Sequence, residues 1–95
     1  MKRPSQLTRL IWDFYRENQR ELRLLKLLRK CKVFRRWGVL HINCCNREVA
    51  DTLVEAHSLI VEPVNQLKLA QRLKISVDKN LIACFELNSG QLFRN

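Results

Sequence analysis

Near the end of the chain, "LKISV" at 73–77 alternates apolar and polar side chains, and "LIACFEL" at 81–87 follows after a polar "DKN". A period of two suits a strand with one buried face and cannot serve a helix. The pair predicts a hairpin with a three-residue turn, in which Asn80 takes the left-handed conformation. "VLHINC" at 39–44 alternates as well. Leu40, Ile42 and Cys44 face one side; Val39, His41 and Asn43 face the other. Asn46 then suits a helix N-cap, and Glu48 lies in the first turn, where the helix dipole favours negative charge. Val49, Leu53, Ala56 and Ile60 form a helical stripe, predicting a helix over 46–61. Pro63 cannot continue that helix without losing a backbone bond, and it opens a second short helix, "PVNQLKLA". Strands on both sides of a helix predict a βαβ crossover packed on one face of a small sheet.

The first third of the chain has a different rhythm. Leu7, Leu10, Ile11, Phe14, Leu22, Leu25 and Leu28 share one side at 3.6 residues per turn. Arg9, Arg16, Arg20, Arg23 and Lys30 fall in a band about 80° wide on the other side, with Leu27 intruding. The pattern predicts one long helix, or two joined ones, over 5–30, capped by Ser5. "KVFRRW" at 32–37 either extends this segment or begins a strand; Val, Phe and Trp favour the strand. The fold class that follows is α+β: a long basic amphipathic helix in 1–37, then a βαββ body in 38–95, all in one domain of 95 residues. The tail "NSGQLFRN" is expected to fray.

Charge follows the same division. Residues 1–37 hold twelve Lys/Arg and three Asp/Glu, whereas 38–95 hold six of each, so the net charge of +9 lies wholly in the first segment. A basic segment on a neutral body reads as an electrostatic contact surface.

Several classes are disfavoured. No apolar run approaches the twenty or so residues of a membrane span. The basic start lacks the apolar stretch of a secretory signal. The four Cys have no framework spacing, which places the chain in a reducing cytoplasm with free thiols. Cys44 and Cys45 are strand neighbours pointing to opposite faces, so they do not share a metal; Cys44 and Cys84 read as small core residues. No metal or cofactor is expected. His41 and His57 have no nucleophile or paired carboxylate at a telling spacing, so the chain reads as non-enzymatic. It has neither a Gly-rich phosphate loop nor a Gly-x-x-Gly clamp.

What remains is nucleic acid. "RKCKVFRRW" adds Arg29, Lys30, Lys32, Arg35 and Arg36 to the upstream cations and interleaves them with Phe34 and Trp37. Cations neutralise phosphates, and aromatic faces stack on unpaired bases, so single-stranded DNA or RNA is the favoured partner. The expected contact set is Arg9, Arg16, Arg20, Arg23, Arg29, Lys30, Lys32, Arg35, Arg36 and Trp37. Phe34 and Trp37 suit the core equally well. The alternative is a protein adaptor, or a homodimer joined through the leucine face, with an acidic protein partner. A third reading lays the basic helix on an anionic membrane, with Trp12, Phe14 and Tyr15 as interfacial anchors.

The stretch 39–77, from "VLHINCCNREVADTL" to "LKISV", resembles two bacterial replication modules. These are the amino-terminal domain of the initiator DnaA and the conserved domain of the DciA helicase-loading family. Both run strand, short polar junction, amphipathic helix, strand, with helices ahead of the sheet. The resemblance implies a KH-like module that contacts nucleic acid or a replicative helicase. Those modules pair two strands before the helix where this chain shows one clear strand, and strand 81–87 is additional. No functional residue carries over.

Overall fold

In a computed structural model, residues 5–87 are described. They form a small α+β domain of four helices and a four-stranded mixed sheet. The tail 88–95 lies outside the described residues.

Helix α1 spans Gln6–Phe14 and is capped as the sequence indicates, with the Ser5 hydroxyl accepting from the Thr8 amide at 3.2 Å. Of the two expectations for 5–30, one long helix or two joined ones, the chain follows the second. Helix α2 covers Gln19–Leu25 and runs into a 3-10 helix at Lys26–Lys30. One contact accounts for the break. The Trp12 indole N–H donates to the Leu25 carbonyl at 2.8 Å. In a continuous helix those residues would lie about 20 Å apart, at 1.5 Å per residue. The chain folds back instead, so that Ile11, Leu25 and Leu28 all enter the core. Of the leucine face, Ile11, Leu25 and Leu28 are buried within the molecule, Leu7, Leu10 and Leu22 are half-buried, and Phe14 is exposed.

Strand β1, Lys32–Arg36, belongs to the sheet and not to the basic helical segment. The body starts at residue 32, and the expected βαββ order gains this strand at its front. β1 pairs antiparallel with β2, Val39–Cys44, through the two-residue turn Trp37–Gly38. Both turn residues have positive φ, 55° and 74°. That matches a type I′ turn, whose twist suits a hairpin.

Helix α3, Arg47–Glu55, starts on Asn46, whose side chain accepts from the Val49 amide at 2.9 Å. Helix α4 is His57–Gln66. The helical break falls at Ala56, not at Pro63, which sits inside α4. Pro63 lacks the N–H for an interior helical bond, a cost of about 3 kcal/mol. Its ring is buried beside Ile60 and Val64, and that burial offsets part of the cost. Lys68, at φ 54°, closes α4; the Leu69 amide bonds back to the Val64 carbonyl at 2.9 Å and the Lys68 amide to the Asn65 carbonyl at 3.2 Å. This is a Schellman ending.

Strand β3, Arg72–Val77, lies parallel to β2, which makes α3 and α4 the crossover anticipated from the alternation. Strand β4, Asn80–Glu86, returns antiparallel to β3. The turn is Asp78–Lys79 rather than "DKN". Asp78 takes the positive φ of 56°, while Asn80 already pairs with Val77. Ile82 is the extra residue of a bulge, opposite the Ile75/Ser76 step.

The sheet order is β1-β2-β3-β4. Leu40, Ile42, Leu73 and Ile75 project from one face into a core completed by Ile11, Leu25, Leu28, Leu53, Ile60 and Val64. All the helices lie on that side. No described element covers the other face, and this leaves a two-layer fold with an open sheet surface.

Candidate nucleic-acid interface

Strand alternation fixes what the open surface carries. Each strand sends every second residue to it, and the register aligns them in rows. One row is Lys32, Asn43, Ser76 and Leu81. The next is Phe34, His41, Lys74 and Cys84. The third is Arg36, Val39, Arg72 and Glu86. Four cations thus meet a single carboxylate. Arg72 and Glu86 pair at 3.2 Å, and no ion pair among the described residues engages Lys32, Arg36 or Lys74.

At the centre, the Phe34 ring stacks on the His41 imidazole, centroids 4.8 Å apart and planes 10° from parallel. Phe34 keeps 38 % of its surface exposed. The His41 imidazole is held below its ordinary range, first by burial and then by the positive charge of Lys74 and Arg36. An anion placed there would relieve that repulsion. The buried Asn43 Oδ1, on the same face, has no hydrogen-bond partner among the described residues. Beyond the third row, at the hairpin tip, Trp37 is 91 % exposed.

The structure places the expected contact residues in separate groups. Lys32 and Arg36 lie on the open face, and Trp37 at its rim. Arg35 points the other way, and its guanidinium donates to the Leu69 carbonyl at 2.9 Å. That bond ties β1 to the chain after α4. Arg9 and Arg16 belong to the helical layer, where they line a shallow pocket of about 280 Å³ with Trp12, Asp13, Leu22 and Lys26. Lys26 sits 4.5 Å over the Trp12 ring, and Arg16 reaches Asp13 at 3.7 Å. Arg20, Arg23, Arg29 and Lys30 are exposed on α2 and the 3-10 helix. The interrupted helix thus replaces the single basic band with several patches.

His41, Lys74 and Arg72 join the surface although the sequence did not single them out for it. The signal is present in the alternation: positions 39, 41 and 43 share one strand face, and 72, 74 and 76 are the matching positions of the parallel neighbour. What was missing was the pairing register.

The remaining chemistry is sparse. Cys44 is buried at the end of β2 and Cys45 is exposed in the bend just after it, while Cys84 is exposed on the open face and not in the core. The Cys31 thiol, which donates to the Leu27 carbonyl at 3.6 Å, is pushed far up by the neighbouring Cys44 sulfur, then by burial, then by negative charge at Cys44 and Cys45. The nearby Cys31 thiol in turn lowers Cys44, against the effect of burial. Among the described residues no group of three or more His, Cys, Asp or Glu is placed to hold a metal ion. A larger cleft of about 540 Å³ between α1 and the β1 edge is lined by apolar and neutral residues apart from Arg35. No described helix is long and apolar enough to cross a membrane. Trp12 and Tyr15 are half-buried against the core, and Phe14, edge-on to Tyr15 with centroids 5.2 Å apart, is exposed. Comparison with protein-family models, curated proteins and solved structures finds no match to this chain.

Proposed function

We propose that this protein is a non-enzymatic accessory factor that binds nucleic acid, with the open sheet face as its principal contact. One observation carries the reading: a Phe34–His41 stack lies among Lys32, Arg36 and Lys74, cations that no described carboxylate pairs, on a surface that no described element covers. Cations so placed attract phosphates, and a polar sheet surface bearing an exposed aromatic suits a polynucleotide better than a folded apolar partner. The antiparallel pair β1–β2 ahead of the crossover supports a KH-like module of the replication type, because paired strands before the helix are what that resemblance implies. Contact with a replicative helicase belongs to the same reading.

The test is equilibrium binding of labelled oligonucleotides across a salt series. Affinity should fall steeply as salt rises, since bound phosphates release counterions. Replacing Lys32, Arg36 and Lys74 together with Ala should weaken binding to all sequences alike and flatten the salt slope. An undetectable interaction at low salt would end the proposal. The second reading is an adaptor for an acidic protein, favoured by the separate pocket of Arg9, Arg16 and Lys26 around Trp12. Firm binding to an acidic protein that the Arg9→Ala and Arg16→Ala changes abolish would support it.

A further inference from the structure

Trp37 occupies a position that the fold does not favour. It is a non-glycine residue at φ 55° in the first place of a two-residue turn, where Gly, Asn or Asp sit with least strain. Its indole is 91 % exposed and so gains almost no packing. Strain and an unburied aromatic at one residue point outward, to a ligand. Arg36 precedes it, and Arg72 lies in the same row as Arg36 across the sheet. Phe34 stands on the open face of the same strand, backed by His41. Positions 34 and 37 are roughly 10 Å apart at about 3.3 Å per residue. That is too far to clasp one ring between them, and it suits two separate ones.

We infer that the ligand of this surface is a single-stranded polynucleotide whose unpaired bases stack on Trp37 and Phe34 while Lys32, Arg36 and Lys74 hold its phosphates. The inference rests on the nucleic-acid reading above and deepens it. A duplex hides its base faces within its own stack and offers only edges in its grooves. An exposed aromatic face therefore finds its stacking partners most readily among unpaired bases. The hairpin cannot enter a major groove as a free two-stranded ribbon, because β2 is also paired to β3. The ring of Trp37 takes any base, since every base has a π-face, so little sequence preference is expected from it.

The experiment separates bases from phosphates. The full chain is titrated at low salt with oligo(dT), with oligo(U), with an abasic sugar-phosphate strand of equal length, and with a blunt duplex. Base-bearing single strands should bind about tenfold or more tighter than the abasic strand, in line with base–aromatic stacking. They should also quench the exposed indole. Trp37→Ala and Phe34→Ala should each remove much of that advantage and leave affinity for the abasic strand and the circular dichroism spectrum unchanged. Trp37→Phe should restore most of it. Tightening in both sugar series supports the class as stated; tightening in one narrows it to DNA or RNA. Equal binding of abasic and base-bearing strands, or a duplex bound as tightly as a single strand, overturns the stacking inference and leaves the phosphate reading standing. No polynucleotide binding at all overturns both. Binding to anionic vesicles alone, with a blue shift of the indole emission, assigns the hairpin tip to a membrane surface instead.

Discussion

The His57 imidazole lies flat on the Phe85 ring, centroids 4.0 Å apart and planes 5° from parallel. His57 begins α4, and its Nδ1 lies 2.7 Å from the Val54 carbonyl of α3, which it serves as donor when Nδ1 carries the proton. Phe85 belongs to β4 at the edge of the sheet. The stack joins the junction of the two crossover helices to the last strand. Phe85→Ala should destabilise the fold by about 2 kcal/mol, below the range for a fully buried ring because Phe85 is half-buried. His57→Ala should cost about 1 kcal/mol, and the double variant less than the sum, since the two act through one contact. Urea unfolding of the four proteins measures this. Strict additivity would show the stack to be incidental.

Trp37→Asn should make the protein more stable and a poorer ligand-binder. Asn-Gly is the favoured pair for a type I′ turn, and relieving left-handed strain is worth about 1 kcal/mol. The denaturation midpoint should rise while affinity for single strands falls. A drop in stability would mean that the indole packs on the fold after all.

Acid should act on stability and on binding in opposite senses through His41. Its folded value is depressed below the free value of 6.5, by burial first and by Lys74 and Arg36 next. The unfolded chain therefore binds more protons in the window between the folded value and the free one. Stability present above pH 6.5 is lost as pH falls through that window. A bound phosphate offsets Lys74 and Arg36, raises the His41 value and makes binding take up a proton. Affinity should then rise on acidification below neutral pH. His41→Ala should flatten both profiles; profiles unchanged by that substitution would remove His41 from the site.

The cysteines should divide by position. Cys44→Ala should cost about 1 kcal/mol, as loss of a small buried side chain with little room to relax. Cys84→Ala should stay within about 0.5 kcal/mol, because Cys84 is exposed. A thiol reagent should label Cys45 and Cys84 fast and Cys44 slowly, read by mass spectrometry. Stoichiometric zinc in the purified protein would contradict this account of the thiols.

Legibility in the sequence followed the range of the forces involved. Strand β2 at 39–44, the caps Ser5 and Asn46 and the β3–β4 hairpin were readable because period and capping are local. Two joined helices over 5–30 were one of the two readings, but the position of the break at 15–18 was not readable, because Trp12 reaches Leu25, a contact between residues that propensity treats as independent. Pro63 misled for a related reason: the rule against interior proline omits what burial beside Ile60 and Val64 returns. The site was half visible. Lys32, Arg36 and Trp37 were named, whereas His41, Lys74 and Arg72 needed the β2–β3 register, which no local pattern encodes. Arg35 and Arg36, identical in sequence terms, part company only when the strand sets them on opposite faces.

Both hairpins close through two-residue turns, Trp37–Gly38 and Asp78–Lys79, so their ladders form between neighbours in the chain. The parallel β2–β3 ladder has to wait for residues 45–71 to fold over the sheet and bring Cys44 beside Val77. Closing that long loop carries the largest entropic barrier in the topology. The open surface draws its cations from both sides of this seam, Lys32 and Arg36 from one hairpin and Arg72 and Lys74 from the other, so it exists only where the two hairpins lie side by side. A break at the seam alone would part Arg36 from Lys74 with the β1–β2 and β3–β4 ladders both intact.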